Sequence, residues 1–180
     1  MDLNSTASAQ RLHIGFFGTV NSGKSSLVNA LTGQKLSIVS DTRGTTTDPV
    51  QKAMELLPLG PVVIIDTPGL DDGTELGKLR IERTMQMLRK TDIAVIVTDA
   101  SEKDEETESF IEIVKEKGIP VIFVRNKCDL DDTDADGSDM LFVSAKTGKN
   151  IDELKRRIAA SIPAVRAEKR IVSDLLKKGD

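Results

Sequence analysis

Residues 18–25 read GTVNSGKS, and no other stretch limits so sharply what this chain can fold into. They fit the pattern G-x-x-x-x-G-K-[ST], which carries meaning only between a strand and a helix. That context is present. Residues 12–17 are apolar apart from His13, as in a strand buried on both faces, and residues 24–32 suit a helix ending at Gly33, a natural C-cap. Glycines in such a loop let backbone N–H groups turn inward around a phosphate, at the positive end of the helix dipole. Gly18, Asn21, Ser22, Gly23, Lys24, Ser25 and Ser26 are the nucleotide-contacting candidates. Lys24 would reach the outer phosphates and the Ser25 hydroxyl would hold magnesium.

Downstream, hydrophobic patterning alternates between strand and helix. Residues 50–57 read as an edge strand that turns at 58–61 into a buried strand, 62–65. Residues 79–88 place Leu79, Ile81, Met85 and Leu88 at helical spacing. Residues 93–98 read as a strand, 103–117 as an amphipathic helix stopped by Gly118, and 120–124 as a strand. The last strand is expected at 140–143 and the last helix at 151–162. Residues 34–49 and 69–77 are polar, aperiodic loops of the kind that carry function. This order predicts an α/β domain over residues 11–162, after a flexible lead-in at 1–10. A largely parallel sheet of about six strands would be covered by helices on both faces, with the nucleotide site at the strands' carboxyl ends.

Two further motifs fall just after predicted strands. Asp66-Thr67-Pro68-Gly69 follows 62–65, so the Asp66 carboxylate would hold magnesium opposite Ser25, and the Gly69 N–H would meet a terminal phosphate. Asn126-Lys127-Cys128-Asp129 follows 120–124. Asp129 would accept from the ring N–H and exocyclic amine of guanine, a donor pair adenine lacks, which specifies GTP over ATP. Asn126 would brace the loops and the Lys127 stem would pack over the base, while Ser144, Ala145 and Lys146 would complete the pocket through the Ala145 N–H.

These elements in this order resemble the P-loop GTPases over residues 12–162, which implies the three-layer, Ras-like P-loop NTPase fold and GTP hydrolysis to GDP and phosphate. The run from Asn21 to Leu27 and the loop at 41–48 are similar to the MnmE and Era branch. Ser40-Asp41, the stretch GTTTDPV at 44–50, KAMEL at 52–56, Gly60-Pro61-Val62-Val63 and Ile65-Asp66-Thr67 resemble more closely the GTPase domains of the [FeFe]-hydrogenase maturation (HydF) family. Thr47 stands where the MnmE and Era relatives place arginine.

The resemblance implies that Thr46 in the first switch binds magnesium and that residues 66–77 form the second switch. Catalytic roles would fall to Lys24, Asn21, Thr46 and Gly69. Leu70 occupies the place of the water-orienting glutamine of Ras-like GTPases, and an apolar side chain cannot orient water. The resemblance to this branch implies that Asn21 and backbone carbonyls of the first switch bind potassium, which would supply the charge of an arginine finger; the alternative is that Asn21 only braces the loop. Glu75, Asp71 and Asp72 are the candidates to position water. By resemblance, GTP and GDP, magnesium and potassium are the ligands, and maturation enzymes and the hydrogenase are partners through the full-length protein. Homodimerisation would run through the switches or a further domain. A tRNA-modification or ribosome-assembly type of GTPase, or a nucleotide-gated binding module with incidental hydrolysis, are the alternatives.

Composition bounds the rest. The net charge is −4, with no broad basic face, so neither nucleic acid nor membrane is expected as a partner, and a cytoplasmic location is the default. Cys128 is the only cysteine, so neither a disulfide framework nor a cysteine-held iron–sulfur cluster is expected in this chain. His13 is given no role. Residues 163–180 read as a connector to downstream domains, with a polar-faced terminal helix as the alternative.

Overall fold

A computed structural model describes residues 11–19, 21–33, 50–67, 75–99, 105–130 and 139–178. The strands are β1 (Leu12–Gly18), β2 (Val50–Leu56), β3 (Gly60–Asp66), β4 (Ile93–Thr98), β5 (Val121–Arg125) and β6 (Leu141–Phe142). The helices are α1 (Lys24–Thr32), α2 (Glu75–Arg89), α3 (Glu105–Glu116) and α4 (Ile151–Lys178). One six-stranded sheet runs in the order β2-β3-β1-β4-β5-β6. Only the β2–β3 pair is antiparallel, so the expected edge strand is confirmed as the exception to a parallel sheet. No helix among the described residues is long and apolar enough to cross a membrane.

The alternation of β1 divides the core. Leu12, Ile14 and Phe16 pack with Leu27, Val28 and Leu31 of α1 and with Leu154 and Ile158 of α4. Phe17 belongs to the opposite face, with Leu88 of α2, Phe110 and Val114 of α3, and Ala94 and Ile96 of β4. Its ring centroid lies 4.9 Å from that of Phe110. Each fully buried side chain of this size stabilises the fold by about 1.5–3 kcal/mol. Gly15 is small because a Cβ there would stand 2.6 Å from the Phe17 ring and 2.7 Å from Thr91 Oγ1.

Register aligns the strand ends that matter. Phe16 pairs with Asp66 and Val95, Gly18 with Val97, Val97 with Val124, and Val124 with Leu141. The segments beginning at Gly18, Thr67, Asp99, Asn126 and Ser144 therefore leave the sheet at one edge. The last helix differs from expectation: it continues past residue 162 to Lys178, with Pro163 inside it. Proline removes one helical N–H and is a weak continuation signal. Burial overrides it, because Ile151, Leu154, Ile158, Ile162 and Val165 form one buried stripe that crosses the proline. Beyond that stripe Ile171, Val172, Leu175 and Leu176 are exposed.

Candidate functional site

The loop between β1 and α1 is shaped by two glycines whose side chains could not be larger. Gly18 has φ +151°, and a Cβ would collide with the Val97 carbonyl of the neighbouring strand. Gly23, the N-cap of α1, has φ +82°, and a Cβ would collide with Asn126 Nδ2. No side chain caps α1 and no acidic residue occupies its first turn, so its leading N–H groups face the loop with their dipole unopposed. Lys24 is buried, its Nζ donating to the carbonyls of Gly18 at 3.0 Å and Thr19 at 2.7 Å. Ser22 closes the turn by donating through its hydroxyl to the Thr19 carbonyl at 2.8 Å. Asn21 in the loop and Ser26 in the first turn of α1 are exposed.

The cation corner lies where β3 ends. The Ser25 hydroxyl donates to Asp66 Oδ2 at 2.6 Å across the strand gap. Asp66 is buried, and its Oδ1 has no hydrogen-bond partner among the described residues. Burial pushes the Asp66 carboxyl above its ordinary range, against the opposing pull of the Ser25 hydrogen bond and the Lys24 charge. Thr67 anchors the corner by donating from Oγ1 to the Phe16 carbonyl at 2.6 Å. An orphaned carboxylate oxygen beside a serine hydroxyl is the donor set of a hard divalent cation, so the residues fit magnesium.

The base corner is assembled by Asn126, which is buried after β5. Its Nδ2 donates to the Ser22 carbonyl at 3.0 Å, and its Oδ1 accepts from the Ala145 N–H at 3.1 Å. One side chain thus ties the phosphate loop, the 126–129 loop and the 144–147 turn together. The Ala145 N–H, expected to face guanine, donates here to Asn126 Oδ1. Ser144 is buried; its hydroxyl donates to Asp129 Oδ1 at 2.6 Å and accepts from the Thr147 N–H at 3.1 Å. The Ser144 hydrogen bond, aided by the Lys146 charge, holds the Asp129 carboxyl below its ordinary range and therefore ionised. Asp129 and Lys146 are exposed at the rim, whereas Cys128 is buried beneath it.

Lys127 has φ +63°, and its Nζ donates to the Asn21 carbonyl at 2.5 Å and pairs with Asp99 Oδ2 at 3.3 Å. Asp99 is absent from the sequence-based set of site residues. Its signal was its place directly after β4, where every other motif also follows a strand. Thr46, Gly69, Leu70, Asp71 and Asp72 lie outside the described residues, and Glu75 is placed only as the first residue of α2.

Comparison with known proteins agrees with this geometry. Residues 13–127 match the model of the family described as 50S ribosome-binding GTPase. The chain is 33% identical over 157 residues to the tRNA modification GTPase MnmE of Laribacter hongkongensis, covering 84% of this chain and 35% of that protein. It is 35% identical over 167 residues to GTPase Der of Wolinella succinogenes, covering 82% of this chain and 35% of that protein. The crystal structure of Aquifex aeolicus Era bound to GDP·AlF4− superposes with a TM-score of 0.70 at 28% identity, covering 82% of this chain and 56% of that one. The chain therefore spans about a third of the length of the curated relatives it matches. A phosphate loop capped by Gly23, a serine–aspartate corner and a serine-held Asp129 on a mostly parallel sheet make the chain a GTPase domain of the 50S ribosome-binding GTPase family, related to MnmE, Der and Era.

Proposed function

We propose that this domain binds GTP with magnesium and hydrolyses it slowly as a switch, with potassium stimulating turnover. The observation that carries the reading is the Ser25–Asp66 pair with its orphaned Asp66 oxygen, set beside Lys24 and across the loop from the ionised Asp129. Ser25 and Asp66 would hold magnesium, which when bound neutralises charge on the phosphate oxygens. Lys24 would exchange the Gly18 and Thr19 carbonyls for the outer phosphates, and the α1 amides would stabilise the same charge. Asp129 would take guanine on its outward oxygen while Ser144 holds the other.

Thr46, as a magnesium ligand, and Gly69, as a γ-phosphate donor, belong to the same proposal, as does water positioning by Asp71, Asp72 or Glu75. Leu70 cannot orient water, and Asn21, exposed at the loop's rim, offers an amide oxygen to potassium. GTP turnover in potassium against sodium chloride, at matched ionic strength with magnesium, tests this. The expected gain in potassium disappears in Asn21→Ala. Equal, slow turnover in both salts would favour a nucleotide-gated binding module.

For the process the switch serves, the relatives at 33–35% identity favour a role of the tRNA-modification or ribosome-associated kind. Hydrogenase maturation is a second reading, supported by the sequence alone through residues 44–50 and 52–56, with Thr47 in place of arginine. Salt-sensitive RNA binding by the full-length protein separates the two, and is expected only for the first.

A further inference from the structure

Asp99 is a charged group at the carboxyl edge of the sheet that the proposed hydrolysis does not use. Its side chain is 13% exposed, against 39% for Lys127, so the carboxylate sits beneath the ammonium rather than beside it in solvent. The Lys127 ammonium is shared between Asp99, at the end of β4, and the Asn21 carbonyl, at the tip of the phosphate loop. Asn126 and Lys127, successive residues, thus bond the successive loop carbonyls of Ser22 and Asn21. One anchor is neutral and buried, and the other is ionic and faces solvent. Lys127 also has a left-handed backbone, which a non-glycine residue keeps only where its surroundings hold it.

We propose that Asp99 is a positioning residue for guanine-nucleotide retention: its carboxylate clasps Lys127 so that the base loop is fixed to the phosphate loop at Asn21. The inference rests on the guanine-nucleotide site proposed above. A lysine ammonium has three donors on a flexible four-carbon stem. With one donor on Asn21 and another on Asp99, the stem is stretched across the loop as a preformed wall for the base. Without Asp99 the ammonium keeps one anchor, the stem regains its rotamers, and nucleotide binding must order it again.

The test is the release rate of fluorescent mant-GDP, chased with unlabelled GDP, from wild type, Asp99→Asn, Asp99→Glu, Lys127→Met and the Asp99→Asn/Lys127→Met double variant. Asp99→Asn is expected to speed release about fivefold to tenfold, with part of the effect recovered in Asp99→Glu. In the Lys127→Met background its effect on release shrinks to a small fraction, because the proposed route to the nucleotide runs through that ammonium. Raising sodium chloride speeds release from wild type by a larger factor than from Lys127→Met, whose remaining salt dependence comes from the phosphates, a reading that needs no Asp99 variant to fold. Equal release from wild type and Asp99→Asn overturns the clasp, and so does an undiminished effect of Asp99→Asn without Lys127. Wild type that retains no mant-GDP at all would overturn the guanine site itself, and the clasp with it.

Discussion

Asn126→Ala removes the one side chain that joins three loops, and its cost follows from the partners it strands. The Ser22 carbonyl loses the Nδ2 donor at 3.0 Å, and the Ala145 N–H loses the Oδ1 acceptor at 3.1 Å. Asn126 is 3% exposed, so the Ser22 carbonyl has little access to replacement water. Each buried group left unpaired costs about 1–3 kcal/mol. Ala145 sits at a half-buried position where water can enter, so the second loss is partial. The sum is about 2–4 kcal/mol for the nucleotide-free domain, or a fall in Tm of roughly 5–15 °C. Urea unfolding at constant m-value measures it directly. Asn126→Asp is a sharper control, since it preserves shape and the acceptor to Ala145 but turns a carboxylate oxygen toward the Ser22 carbonyl. It should be at least as destabilising as alanine. A loss below about 0.5 kcal/mol for Asn126→Ala would refute the reasoning, because neither hydrogen bond could then be holding the loops together.

Other expectations follow from single contacts. Gly23→Ala forces a Cβ against Asn126 Nδ2 at φ +82°, so mant-GDP affinity should fall at least tenfold; an unchanged affinity would show that the loop relaxes freely. Asp66→Asn removes a carboxylate that burial disfavours, so the nucleotide-free domain should melt at the same or a higher temperature. Magnesium-dependent GTP binding, followed by fluorescence titration, should meanwhile weaken about 10- to 100-fold. Because the folded pKa of Asp66 is raised, its destabilising contribution is absent below the unfolded value and complete above the folded one. Lowering the pH through that window should reduce the stability gap between wild type and Asp66→Asn in matched urea melts. Asp129 shifts the other way, so its ionised form persists through neutral and mildly acidic solution. Guanine affinity should stay flat there and be lost only in acid below the ordinary carboxylate range, whereas a fall near neutrality would mean that another group recognises the base.

The fold was legible because its signals are local. Residues 12–17 are apolar apart from His13, and the burial of both faces of β1 follows from that run. The phosphate loop, the aspartate that ends β3 and the asparagine after β5 were legible for the same reason: each sits at a strand's end, where sequence position fixes place. What escaped depends on reach between segments distant in sequence. The pairing of Lys127 with Asp99 spans two strands, and no spacing rule reports how far a lysine stem will turn. The helical tail stood only as the alternative to a connector because Pro163 is a strong local stop signal, while the burial of Val165 that overrides it is tertiary. The hydrogen bond from the Ala145 N–H to the Asn126 oxygen, 19 residues away in the chain, likewise has no local signal.

The most direct test of the account is calorimetric titration of the domain with GDP and with ADP in magnesium, for wild type and Asp129→Ala. The account predicts that wild type prefers GDP by about 100-fold or more and that Asp129→Ala abolishes the preference by weakening GDP alone. Comparable binding of the two nucleotides by wild type, or a preference that survives Asp129→Ala, would contradict it.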